Sequence, residues 1–149
     1  MIRISTKGRY SLRMMMDLAR HFGEGPVMLR EIAERQAISE KYLGQIIFQL
    51  RAANLIRSTR GAHGGYSLVK SPENITVKDI VEAVEGSINL VECVNAPAIC
   101  DRADDCIARI VWTRAAEKVS DYLESIKLSY IVRMGQKQKT PSARSSKKK

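Results

Sequence analysis

LREIAERQAISEKYLGQIIFQLRAANLIRSTRGAHGGYSL, residues 29–68, carries three local signals in succession. Leu29, Ile32, Ala33 and Ala37 share one face of a short helix. Ser39 then offers a side-chain oxygen where a second helix must begin, because the first N–H groups of a helix have no partner inside it. That second helix runs through Tyr42, Leu43, Ile46, Ile47 and Leu50 to about Ala53. A short helix, a tight turn and a longer helix form the helix-turn-helix pattern. Directly afterwards Leu55, Arg57 and Thr59, then Tyr66 and Leu68, alternate on either side of the glycine-rich centre from Gly61 to Gly65, which predicts a β-hairpin with a flexible tip. Such a hairpin is a wing. The expected fold is therefore mainly α with a small β-hairpin: a winged helix-turn-helix.

Upstream, residues 8–22 place Leu12, Met15, Met16, Ala19 and Phe22 at helical spacing, and Gly23 with Gly25-Pro26 ends that helix. Its methionines read as adaptable packing, and the basic, amphipathic start reads as a core helix rather than a transit peptide. Downstream, Ser71 to Asn74 is a turn, and Thr76 with Asp79 forms a capping box opening a helix through Ile80, Val81 and Val84, which Gly86 stops. Ser87 to Val91 has no decisive period. From 104 to 126 the apolar residues Ile107, Ile110, Val111, Ala115, Val119, Tyr122, Leu123 and Ile126 recur every three or four positions, with Trp112 beside them as packing. A stripe that long exceeds what a small domain can cover, so it predicts a dimerisation helix. The expected organisation is a winged helix-turn-helix domain at 1–86, a cysteine loop at 87–106, a dimerisation helix at 104–132 ending in a short turn, and a disordered basic tail at 133–149.

Net charge is +9 over 149 residues, unevenly spread. Residues 1–70 hold twelve basic and five acidic side chains, residues 71–132 six and eleven, and residues 133–149 seven and none. A basic first half followed by an acidic second half suggests a polyanion-binding module joined to something else. No run of apolar residues is long enough for a membrane span. HExxH, P-loop and GxSxG motifs are absent, and His21 and His63 stand far apart, which argues against an enzyme.

In a helix-turn-helix the start of the second helix meets base edges. Here that start is Ser39, Glu40, Lys41, Tyr42 and Gln45. Gln45 suits adenine; Ser39, Lys41 and Tyr42 suit phosphate or bases. Arg30 and Arg51 are expected on the backbone of the duplex. In the wing, Arg60 and His63 flank glycines, Gly61 and Gly64, that allow close approach to a minor groove.

Every cysteine of the chain lies in one loop, Cys93, Cys100 and Cys106, spaced C-x6-C-x5-C. An odd count with no secretory signal points to a reducing cytoplasm rather than a disulfide framework. Iron-sulfur clusters take thiolate ligands, most often four, so three cysteines leave one position for another group. Zinc also accepts three thiolates, but the closely spaced cysteine pairs usual at its sites are missing. Free thiols acting through disulfide or sulfenic chemistry are the third reading.

The segments TKGRY (6–10), IAERQAIS (32–39), YLGQI (42–46), LRAANLI (50–56) and RGAHGGY (60–66) resemble, in order and spacing, the winged-helix family that includes the iron-sulfur regulator IscR, the nitric-oxide sensor NsrR and the cysteine-metabolism repressor CymR. The resemblance spans about residues 1–130. It implies a homodimeric repressor on a pseudo-palindromic double-stranded DNA operator, regulating iron-sulfur assembly or related sulfur, iron and redox genes. It also implies Cys93, Cys100 and Cys106 as ligands of a 2Fe-2S cluster, or of a 4Fe-4S one. CymR-like members lack these cysteines, so the alternative it implies is a cysteine-metabolism or nitric-oxide-responsive repressor working by partner docking or thiol switching. The resemblance places the fourth ligand at a histidine in some members and an acidic residue in others. The matching positions here are Arg109 and Arg9, and a guanidinium does not ligate. Glu92, Asp101, Asp104, Asp105 or an exogenous group is left to fill that place, with Arg109 neutralising the cluster or pairing with an acid. A second departure is Gly44, where IscR-like members commonly carry Glu.

Overall fold

The computed structural model describes residues 3–138. Helix α1 (Thr6–Arg20) is capped by Ser5, whose hydroxyl accepts from the Gly8 N–H. Its buried side is Met14, Met15, Leu18 and Ala19, whereas Phe22 lies beyond the helix and is exposed. The helix face is thus rotated slightly from the expected one, with Met14 and Leu18 replacing Leu12 and Phe22 at its centre.

Helices α2 (Leu29–Gln36) and α3 (Glu40–Ala52) follow, joined by a turn in which Ala37 takes the left-handed conformation and Ile38 plugs into the core. Ser39 caps α3 by accepting from the Tyr42 N–H. Leu43, Ile46, Ile47 and Leu50 bury one side of α3 against α1 and α4. Strands β1 (Ile56–Thr59) and β2 (Gly65–Leu68) pair antiparallel in the register Ile56 to Leu68 and Thr59 to Gly65. Val27 bridges Tyr66, so the hairpin is fastened to the segment ahead of α2.

Helix α4 (Val77–Glu85) carries the expected Thr76–Asp79 capping box and ends at Gly86. Its last residue, Glu85, accepts hydrogen bonds from both the N–H and the hydroxyl of Ser5, tying the end of α4 to the start of α1. The cysteine segment is built from one turn of helix, α5 (Glu92–Asn95), and a 3₁₀ turn at Pro97–Ile99.

The C-terminal part differs from expectation. Helix α6 (Ile107–Ser125) begins at 107 rather than 104, and a separate helix α7 (Leu128–Gln138) follows a break at Ile126–Lys127. At this break Val77 N–H donates to Ile126 and Leu128 N–H to Ile75, both at 2.9 Å, so the chain pairs briefly with the entrance of α4. Leu128 and Val132 enter the main core, and α7 packs on α1. Residues 133–138, expected in a disordered tail, are helical; the rest of that tail lies outside the described residues. A helix is stable here because burial of one face supplies what its own propensity does not.

Candidate nucleic-acid interface and cysteine loop

The outward side of α3 presents Lys41, Gly44, Gln45, Phe48, Arg51 and Ala52, all exposed, opposite the buried Leu43, Ile46, Ile47 and Leu50. Ser39 and Glu40 are exposed at its start. The Ser39 hydroxyl is engaged as the cap, which orients the first turn. Tyr42 is half-buried rather than free, its ring edge-on to Tyr10 with centroids 5.5 Å apart, and Arg13 lies 5.3 Å over the Tyr10 ring. Arg30 is exposed on α2 and already paired with Glu34 at 2.9 Å. Lys41, Arg51 and Arg60 make no ion pair with another described residue.

At the wing, Arg60, Gly61 and His63 are exposed at the tip, and Gly64 N–H closes the turn onto Gly61 at 3.0 Å. Three glycines are required by this shape, Gly65 among them, where a Cβ would collide with the Val27 carbonyl. Gly61 has φ +115°, a conformation L side chains rarely adopt, and a Cβ on Gly64 would collide with the Thr59 carbonyl. Arg57, absent from the expected set, projects from β1 and reaches Ser67 across the ladder at 3.2 Å; the alternation of Leu55, Arg57 and Thr59 was its signal. Phe48 was missed because it falls off the apolar stripe of α3.

The cysteine loop lies between α4 and α6. Cys93 and Cys106 are half-buried and Cys100 is exposed; all three are free thiols. Cys106 stands at the N-cap of α6, where unpartnered N–H groups favour an anion. Among the described residues no group of three or more Cys, His, Asp or Glu side chains stands close enough to hold a metal ion. The donor chemistry thus suits a soft metal group, with three thiols in one loop, while their described placement does not gather them. Among the described residues Arg109 makes no ion pair. Its guanidinium donates to the backbone carbonyls of Cys93 at 3.0 Å and Ala103 at 3.1 Å, clasping the two sides of the loop to the first turn of α6. A cleft of about 480 Å³ opens beside it, lined by Asp104, Asp105, Cys106, Arg109 and Thr113 among others. Arg9 is on α1 and bonds Thr6.

Helix α6 turns Ala116 into the body and half-buries Arg109, Thr113, Ser120 and Leu123, leaning on α4 with Lys78 paired to Glu124 at 2.9 Å. Ile107, Ile110, Val111, Trp112, Val119 and Tyr122 remain exposed, so most of the predicted stripe is uncovered in the single chain.

The arrangement of α2, α3 and the hairpin is that of the winged helix-turn-helix proteins. Residues 4–134 match the Rrf2 family model, described as an iron-dependent transcriptional regulator, and the chain belongs to this family of transcriptional regulators. It is 41% identical over 132 residues to the protein rrf2 of Nitratidesulfovibrio vulgaris strain Hildenborough, covering 89% of this chain and 88% of that protein. Among solved structures it is similar to T. potens IscR, with TM-score 0.76 and 38% identity over 94% of this chain and 93% of that one. It is also similar to CymR, the global cysteine regulator of B. subtilis, with TM-score 0.74 and 40% identity over 90% and 98%. No helix of the described residues is long and apolar enough to cross a membrane.

Proposed function

We propose that the protein is a cytoplasmic, homodimeric transcriptional repressor that senses the state of an iron-sulfur cluster held by Cys93, Cys100 and Cys106. The observation that carries this reading is the position of the only three cysteines, between the helix that ends the DNA-reading head and the helix whose apolar face is uncovered. A cluster bound there supplies a group whose charge and presence change with redox state and iron supply. The chain's own residues supply the coupling. Cys106 occupies the N-cap position of α6, Arg109 fastens Cys93 and Ala103 to α6, and Glu85 ties the end of α4, just ahead of the segment, to α1. A cluster held by these three thiols would therefore bear on α6 and on the head together, and its gain or loss would shift dimers between DNA-competent and incompetent arrangements. Ser39, Glu40, Lys41, Tyr42 and Gln45, with Arg30 and Arg51 beside them, meet one half-site, and Arg60, Gly61, His63 and Gly64 meet its flank. Two-fold symmetry sets a pseudo-palindromic operator.

The test is the visible spectrum of protein purified without oxygen. A reddish 2Fe-2S or brown 4Fe-4S band is expected, lost in Cys93→Ala, Cys100→Ala and Cys106→Ala alike. The likeness to CymR, the global cysteine regulator of B. subtilis, favours a second reading, a thiol-switched or partner-docked regulator. Colourless anaerobic protein whose DNA affinity changes with thiol oxidation would select it.

A further inference from the structure

Two costs coincide on one face of α3. Phe48 leaves 77% of its surface in water and belongs to no core cluster. Gly44, four residues earlier, sits inside the helix with a negative φ, and a Cβ added there would meet nothing within 4 Å. Packing therefore explains neither residue, although a glycine weakens a helix interior. Residues four apart are neighbours on a helix surface, and helical side chains lean toward the N-terminus, so the strip covered by a side chain at 48 is the turn that holds Gly44. Around this bare strip and single ring stand Lys41, Gln45 and Arg51, with the one acid, Glu40, a turn ahead of Gly44, all exposed. An apolar ring among basic and amide groups matches the major groove, where the only apolar feature at the base edges is the thymine methyl group. It matches a protein partner poorly, since those bury charge-depleted centres.

We propose that Phe48 is a specificity-determining residue that packs against thymine 5-methyl groups in the major groove, over the strip that Gly44 leaves open. This rests on the reading of α3 as the DNA-contacting helix. Glycine at 44 lets the helix approach closely enough for the ring to reach, and the site it defines is a thymine-containing step beside the base read by Gln45.

The experiment starts with duplexes recovered by the full-length protein from a random library, followed by replacement of each thymine in turn with deoxyuridine, which removes only the methyl group. Wild type is expected to lose about fourfold in affinity per contacted methyl, at one or two positions in each half-site. Phe48→Ser, whose melting temperature should match wild type, is expected to show no such loss. Wild-type affinity indifferent to deoxyuridine at every thymine would overturn the proposal while leaving DNA binding intact. Equal losses in wild type and Phe48→Ser would overturn it too. Failure to recover any duplex would overturn this proposal and the proposed function together.

Discussion

Asp17 is 1% exposed on α1, yet it is fully satisfied. Arg35 from α2 donates to both of its carboxylate oxygens, at 2.7 Å for the shortest contact, and Gln36 adds a third donor at 2.8 Å. Burial pushes this carboxyl up, but the bonds from Arg35 and Gln36 and the charges of Arg35 and His21 outweigh it, leaving Asp17 below its ordinary 3.8. The unfolded chain thus takes up a proton at a pH where the folded chain still resists, so acid favours unfolding. The stability owed to this group is complete above the ordinary carboxylate range and lost as pH falls through the depressed folded value. Asp17→Asn should cost roughly 2 kcal/mol near neutrality. Urea unfolding of wild type and variant should show that gap holding from about pH 7 to about pH 5 and closing below about pH 4. A gap that widened in acid would contradict the assignment.

Helices and turns with a local chemical signature are legible in the sequence. Ser39 begins α3, Thr76 and Asp79 begin α4, and the glycines from 61 to 65 mark the wing. What escaped depends on distant partners. Arg109 bonds two backbone carbonyls, which have no signature in a sequence, and the second half of α7 reads as the start of a polar tail because the buried Leu128 and Val132 both lie in its first half. For the same reason the three thiols were readable as a set, while their separation in the described loop was not. Two substitutions test these elements. Leu128→Ala should destabilise the whole head by about 2–5 kcal/mol in denaturant melts, since Leu128 is fully buried; a loss confined to the C-terminal helices would show that α7 is peripheral. Gly44→Ala should instead raise the stability of α3 by roughly 0.5–1 kcal/mol, because a Cβ there finds open space.

At the scale of the molecule, two of the surfaces uncovered among the described residues are the basic and polar face of α3 with the wing, and the apolar face of α6. If the second is closed by another copy, Ile110→Glu with Val111→Glu should yield a monomer by light scattering with unchanged helical content, and weakened operator binding. A dimer that survived both changes would move the interface elsewhere. For the first, affinity for duplex should fall by roughly a hundredfold between about 50 mM and about 200 mM salt as counterions are displaced from phosphates; a flat response would sink the polyanion reading. The pairing of Ile126 and Leu128 with the entrance of α4 also governs the order of events at the ribosome. Leu128 and Val132 fill a core whose other members begin at Met14. Synthesis proceeds at about 5–20 residues per second, so α3 is made several seconds before the residues that complete its support. The core that supports α3 is therefore completed only once Leu128 and Val132 have been made.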